Sequence, residues 1–96
     1  MPKEILLVAV GPVVKHVYYL YIVKCADKTL YTGITVNLLR RVREHNEGKL
    51  GAKYLAGRRP VKLVYSKKFR NRSAASRAEY RMKQLSRPEK LKIIKQ

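Results

Sequence analysis

The stretch Val17-Tyr18-Tyr19-Leu20-Tyr21-Ile22-Val23-Lys24-Cys25, followed after Ala26-Asp27-Lys28 by Thr29-Leu30-Tyr31-Thr32-Gly33-Ile34-Thr35, decides how this chain folds. Both runs are dominated by β-branched and aromatic residues, and the three residues between them suit a tight loop, so they read as an antiparallel hairpin. With that loop Tyr21 stands across from Gly33 and Val23 across from Tyr31, and directly opposed residues project from the same side of a sheet. Tyr19, Tyr21 and Tyr31 then share one face, while Tyr18, Leu20 and Ile22 face a core on the other. Gly33 offers no side chain on the tyrosine face, which leaves space beside Tyr21 for a phosphate or a water. A slip of one residue in the loop would scatter the tyrosines to opposite faces.

Outward from the hairpin, Asn37 suits an N-cap and Gly48 a C-cap for the helix between them. At 100° per residue Leu38, Leu39, Val42 and Asn46 cover one arc, and Arg40, Arg43, Glu44 and Glu47 fall on the far side. Arg41 and His45 form an i, i+4 pair on the border of the apolar arc, where a side chain reaches along the sheet surface. A basic, glycine-punctuated loop from Lys49 to Arg59 leads to a third strand over Val61 to Phe69. Ser73 is expected to cap a helix running to about Leu85. Its apolar arc is Ala74, Ala75, Ala78, Met82 and Leu85, with Glu79 just beyond one edge. Pro88 fits the first turn of a last short helix with Leu91 and Ile94 inward. The expected fold class is α/β in the α+β sense, a small three-stranded antiparallel sheet flanked by helices in the order ββαβαα.

A chain of 96 residues is long enough for one small domain, here residues 16–96, preceded by an N-terminal extension over 1–15 that carries the apolar run Ile5 to Val10 and the break Gly11-Pro12. The apolar run is far shorter than a membrane span. With 23 Lys+Arg against 6 Asp+Glu the net charge is +17, and the self-repulsion in so small a chain is relieved by a polyanionic partner. The basic residues are spread through the sequence and do not line one helix face, so nucleic acid is expected and a membrane surface is not. A single cysteine, Cys25, excludes an internal disulfide and reads as a buried strand residue in a reducing cytoplasm. In the loop, Lys49, Lys53, Arg58 and Arg59 with Tyr54 interleaved suit backbone contacts and base stacking on a nucleic acid.

Taken together, Tyr19-Leu20-Tyr21 and Tyr31-Thr32-Gly33 ten residues apart, Arg41 ten residues after Tyr31, and a helical Glu79 resemble the GIY-YIG nuclease superfamily, in particular its small stand-alone bacterial members of uncharacterised function. The resemblance covers His16 to Gln96. The sequence departs from the eponymous motif where Tyr19-Leu20 stands for Gly-Ile and Thr32 for Ile. Where some members carry a polar or basic residue after the second triplet's glycine, this chain has Ile34, so the general base stays open.

What the resemblance implies is phosphodiester hydrolysis with one divalent metal ion, Mg²⁺ or Mn²⁺. In that scheme Tyr21 or Tyr31 positions and deprotonates a water, which demands a phenol pKa lowered by nearby positive charge. Arg41 offers a planar fork to the phosphate, Glu79 is the metal ligand, and His45 orients a tyrosine or transfers a proton. DNA is expected ahead of RNA, and the protein is expected to be monomeric, with recognition left to DNA structure or to a protein partner. A non-catalytic nucleic-acid-binding module on the same scaffold, and a small basic protein of a ribonucleoprotein assembly, are the rival classes. In the plainer reading the tyrosines are cross-strand packing residues, as is expected for Tyr19. Likewise Glu79 and Lys83 are an ordinary i, i+4 surface pair.

Overall fold

The computed structural model describes residues 17–48 and 50–96. The extension over 1–15 and Lys49 lie outside them. Strand β1 (Tyr18–Lys24) and strand β2 (Leu30–Thr35) form the hairpin, helix α1 (Leu38–Glu47) follows, and a 3-10 turn over Lys53–Leu55 interrupts the long loop. Strand β3 (Lys62–Phe69) and helices α2 (Arg72–Lys83) and α3 (Arg87–Ile94) complete the order. The three strands make one antiparallel sheet in the order β2-β1-β3, the α+β arrangement expected from the sequence. Tyr21 pairs with Gly33 and Val23 with Tyr31, as the loop length requires. Lys28 closes that loop at a φ of 75°, and Asp27 Oδ1 accepts from the amide and the hydroxyl of Thr29 at 3.1 and 2.6 Å.

The period of two sorts the central strand into two cores. Tyr21, Val23 and Cys25 pack with Leu55, Val61, Leu38 and Val42 on one face. Leu20 and Ile22 pack with Ala78, Met82 and parts of β3 and α3 on the other. The sheet is therefore a middle layer, with α1 and the loop above it and α2 and α3 below. Tyr18, at the strand end, is only half-buried.

Several boundaries and faces differ from the sequence reading. In α1 the inward line is the partly buried Leu38 and Val42 with the buried His45, which turns Leu39 about 100° away, and it is 80% exposed. Asn46 also leaves the apolar arc. Its Nδ2 donates to Val61 O at 3.1 Å and its Oδ1 accepts from Val61 N at 2.7 Å, and this clamp ties up both backbone groups of Val61, so β3 begins at Lys62. Helix α2 is capped by Asn71, whose Oδ1 accepts from Ala74 N at 2.8 Å. Ser73 sits within the first turn and accepts from Arg77 Nη1 at 2.7 Å, and the helix ends at Lys83, short of Leu85. Asparagine and serine are equally good caps, and only the chain direction out of β3 chooses between them. In α3 a reciprocal Ser86–Glu89 capping box sets the start, and Ile93 with Ile94 packs inward where Leu91 and Ile94 were expected.

Candidate functional site

The hairpin's tyrosine face meets α1 at a buried polar pair. Tyr21 is 1% exposed and His45 is fully buried, and Tyr21 Oη lies 2.7 Å from His45 Nε2. The other ring nitrogen, Nδ1, accepts from the backbone N–H of Ala52 at 3.2 Å. His45 is thus well inside the border expected for it. The i, i+4 spacing brought it to the sheet, and the docked loop then covered it. The Tyr21 phenol lies across Gly33: a Cβ there would meet Tyr21 Oη at 2.7 Å and Cζ at 2.9 Å. The missing side chain therefore makes room for the Tyr21 ring itself, not for a phosphate or a water.

Burial sets the charge state of both groups. It pushes the Tyr21 phenol up to about 12, outweighing the pull of the neighbouring Arg41 guanidinium, and the negative charge of Glu79 adds to the rise. The lowered phenol pKa that a tyrosine base demands is absent at Tyr21. Burial, helped by the Arg41 charge, also pushes the His45 imidazole down to about 4, so the ring is neutral at pH 7.

Arg41 is anchored beside Tyr21. Its Nη1 donates to Glu44 Oε1 at 2.9 Å and to Leu50 O at 2.8 Å, and its side chain is 28% exposed. Glu79 comes from the opposite layer on α2, half-buried, with Lys83 Nζ 3.1 Å from Oε2. Its carboxylate is near enough to be felt by Tyr21. Among the described residues no cluster of three or more His, Cys, Asp or Glu is built to cage a metal. A lone hard carboxylate does fit Mg²⁺ or Mn²⁺, which take one or two carboxylates and complete the shell with water and substrate phosphate.

Tyr31, half-buried, extends the site toward the loop. Its ring meets His45 edge-on at 5.5 Å and stacks on Tyr54 at 5.8 Å and 24°. Arg58 lies over the outer face of Tyr54 at 4.3 Å, donates from Nε to Tyr54 O at 3.0 Å, and pairs with Asp27 at 2.5 Å. The backbone closes the same contact, since Ala26 N donates to Arg58 O at 2.9 Å, and Leu55 is fully buried beneath. Two of the loop's expected nucleic-acid contacts, Tyr54 and Arg58, therefore pack against the hairpin, and Tyr54 remains exposed. Lys53 and Arg59 are exposed, and Arg59 covers Gly48 at the C-terminal end of α1, where a cation is favoured. Sequence reading missed the Asp27–Arg58–Tyr54–Tyr31 stack and the Ala52 contact to His45. Both depend on where the loop docks, and no local pattern signals that.

A three-stranded sheet that presents two hairpin tyrosines, a helical arginine and histidine, and a glutamate from the following helix is the framework of a small GIY-YIG domain. Residues 17–92 match the GIY-YIG catalytic domain, and the chain belongs to that family. The UPF0213 protein of Syntrophus aciditrophicus is 54% identical over 78 residues, which span 81% of this chain and 90% of that protein. Among solved structures, the UPF0213 protein BH0048 of Bacillus halodurans aligns at a TM-score of 0.54 with 42% identity, covering 82% of this chain and 83% of that one. The protein EF2693 from E. faecalis aligns at 0.56 with 40% identity, over 82% and 84% of the two chains. A GIY-YIG domain suggests a nuclease and implies interaction with nucleic acid.

Proposed function

We propose that this protein is a divalent-metal-dependent endonuclease that hydrolyses phosphodiester bonds in nucleic acid, with DNA as its substrate ahead of RNA. The observation that supports the reading is the buried Tyr21–His45 pair with Tyr31 packed on His45, and with Arg41 and Glu79 close enough to act on the Tyr21 charge, in a domain of net charge +17. Arg41, half-exposed and held at Nη1, neutralises charge on the phosphoryl oxygens. Tyr31 is the more exposed of the two motif tyrosines and positions the attacking water by accepting its hydrogen bond. Glu79 would hold the metal ion through its carboxylate, of which Oε2 is paired with Lys83 Nζ. When bound, the ion supplies Lewis-acid stabilisation of the phosphodiester and of the departing alkoxide. Lys53 and Arg59 guide the backbone of the polyanion.

Glu79→Gln keeps the shape and removes the hard ligand, so cleavage in Mg²⁺ or Mn²⁺ is expected to vanish while affinity for the nucleic acid holds or rises. Purified wild type and variant are assayed on duplex, branched and single-stranded DNA and on RNA, with affinity measured on the same preparations. A Gln variant that cuts as fast as the wild type removes Glu79 from the site. The second reading, a non-catalytic binding module, draws on the Glu79–Lys83 pair, which is an ordinary helix-surface contact if no metal competes for it. Binding without any metal-dependent cutting by the wild type selects that reading.

A further inference from the structure

The contact between the loop and His45 fixes more than packing. The Ala52 N–H points at Nδ1 from 3.2 Å, so Nδ1 presents its lone pair. An imidazolium would set one N–H against another there, and so would the tautomer protonated at Nδ1. The loop cannot easily retreat: a Cβ on Gly51 would fall 2.8 Å from His45 Cα and 3.0 Å from Glu44 O, so this backbone lies flush on α1. The remaining form is the neutral ring protonated at Nε2, and that nitrogen is the one 2.7 Å from Tyr21 Oη.

We propose that the Gly51-Ala52 backbone locks His45 as the Nε2–H tautomer, which donates to Tyr21, so that His45 cannot take the Tyr21 proton and fixes this phenol as a protonated, positioned group and not as the base of the reaction. A phenol hydrogen has two in-plane positions, and the one facing His45 is filled by the incoming Nε2–H. Arg41 is donor-only. Its guanidinium also bears on the phenol as a donor, so neither neighbour offers the Tyr21 proton an acceptor. The tautomer follows from geometry alone, whereas its effect on cleavage rests on the nuclease reading. His45 is then a positioning residue that acts on the reaction through Tyr21.

The tautomer is read from the ring nitrogens of His45 in a long-range ¹H–¹⁵N spectrum of the wild-type protein at pH 7. A lone-pair signal at Nδ1 and a protonated signal at Nε2 are expected, and the reverse pattern overturns the proposal. Its consequence is read from two substitutions. In His45→Gln the side-chain amide nitrogen falls near the place of Nε2 and restores the donor, whereas in His45→Asn it falls near Nδ1 and cannot reach Tyr21. Cleavage is expected to fall by less than about tenfold in the Gln variant and by roughly 10- to 100-fold in the Asn variant, as for other supports of a reacting group. An amide cannot take up a proton, so a folded Gln variant as inactive as Asn makes His45 a proton acceptor and overturns the assignment. If the wild type cuts none of the substrates, the nuclease reading fails, and the nitrogen spectrum still decides the tautomer by itself.

Discussion

Gly33→Ala tests the hairpin face at its tightest point. The new methyl would sit 2.7 Å from Tyr21 Oη and 2.9 Å from Cζ, closer than Cβ atoms ordinarily approach. Tyr21 is 1% exposed and packed by Val23, Leu55 and Val61, so its ring cannot swing aside without disturbing the core. Overpacking of this kind costs about 1–3 kcal/mol. Displacing the phenol also breaks the buried bond to His45 and leaves its partner unsatisfied, a further loss of about 1–3 kcal/mol. Alanine's smaller backbone entropy in the unfolded chain offsets roughly 0.5–1 kcal/mol of this. The net is about 3 kcal/mol, or a fall in Tm of roughly 12–24 °C for a domain of this size. Thermal unfolding followed by circular dichroism measures it. In Tyr21→Phe the closest contact and the hydrogen bond are already gone, so the double variant is expected to be more stable than the two single losses sum to, by about 1–3 kcal/mol. A Gly33→Ala protein that melts within about 2 °C of the wild type, or strict additivity in the cycle, refutes the geometry.

Two further outcomes follow from the same site. His45 titrates at about 4 in the fold against an ordinary 6.5, so below pH 6.5 the unfolded chain binds a proton that the folded one refuses. Stability present above pH 6.5 is therefore lost as pH falls toward 4, by roughly 3 kcal/mol from this group, and His45→Gln is expected to flatten that slope in a series of denaturant titrations. An unchanged slope would mean that the ring is not held neutral. Arg58→Ala removes the guanidinium from the Tyr54 ring, a loss of roughly 0.5–1 kcal/mol from that contact, and is expected to lower Tm by a few degrees, with Arg58→Lys failing to restore it. If the variant keeps its Tm and loses only affinity for duplex DNA, Arg58 is a phosphate contact and not a part of the scaffold.

The parts of this molecule that could be read from the sequence are those set by short-range rules. The hairpin register follows from a three-residue loop and a period of two, which is why the pairing of Tyr21 with Gly33 is legible in the sequence. The Asn37 and Gly48 caps follow from local chemistry in the same way. Depth was not legible. The same two rules that bring Tyr21, Tyr31, Arg41 and His45 to one face do not say which of them the loop will cover. Leu55, the Ala26–Arg58 backbone bond and the stack of Arg58 on Tyr54 decide that through contacts between residues up to 32 positions apart in sequence. Tyr21 and His45 end up beneath the loop, and Tyr31 and Arg41 stay within reach of solvent. Glu79 shows the same gap from the other side, because its place at the edge of an apolar arc was visible while its reach from the opposite layer to the charge environment of Tyr21 was not. The motif alone leaves two tyrosines equivalent. Burial separates them, giving one a phenol that holds its proton to about pH 12 and leaving the other as the hydroxyl a water can meet.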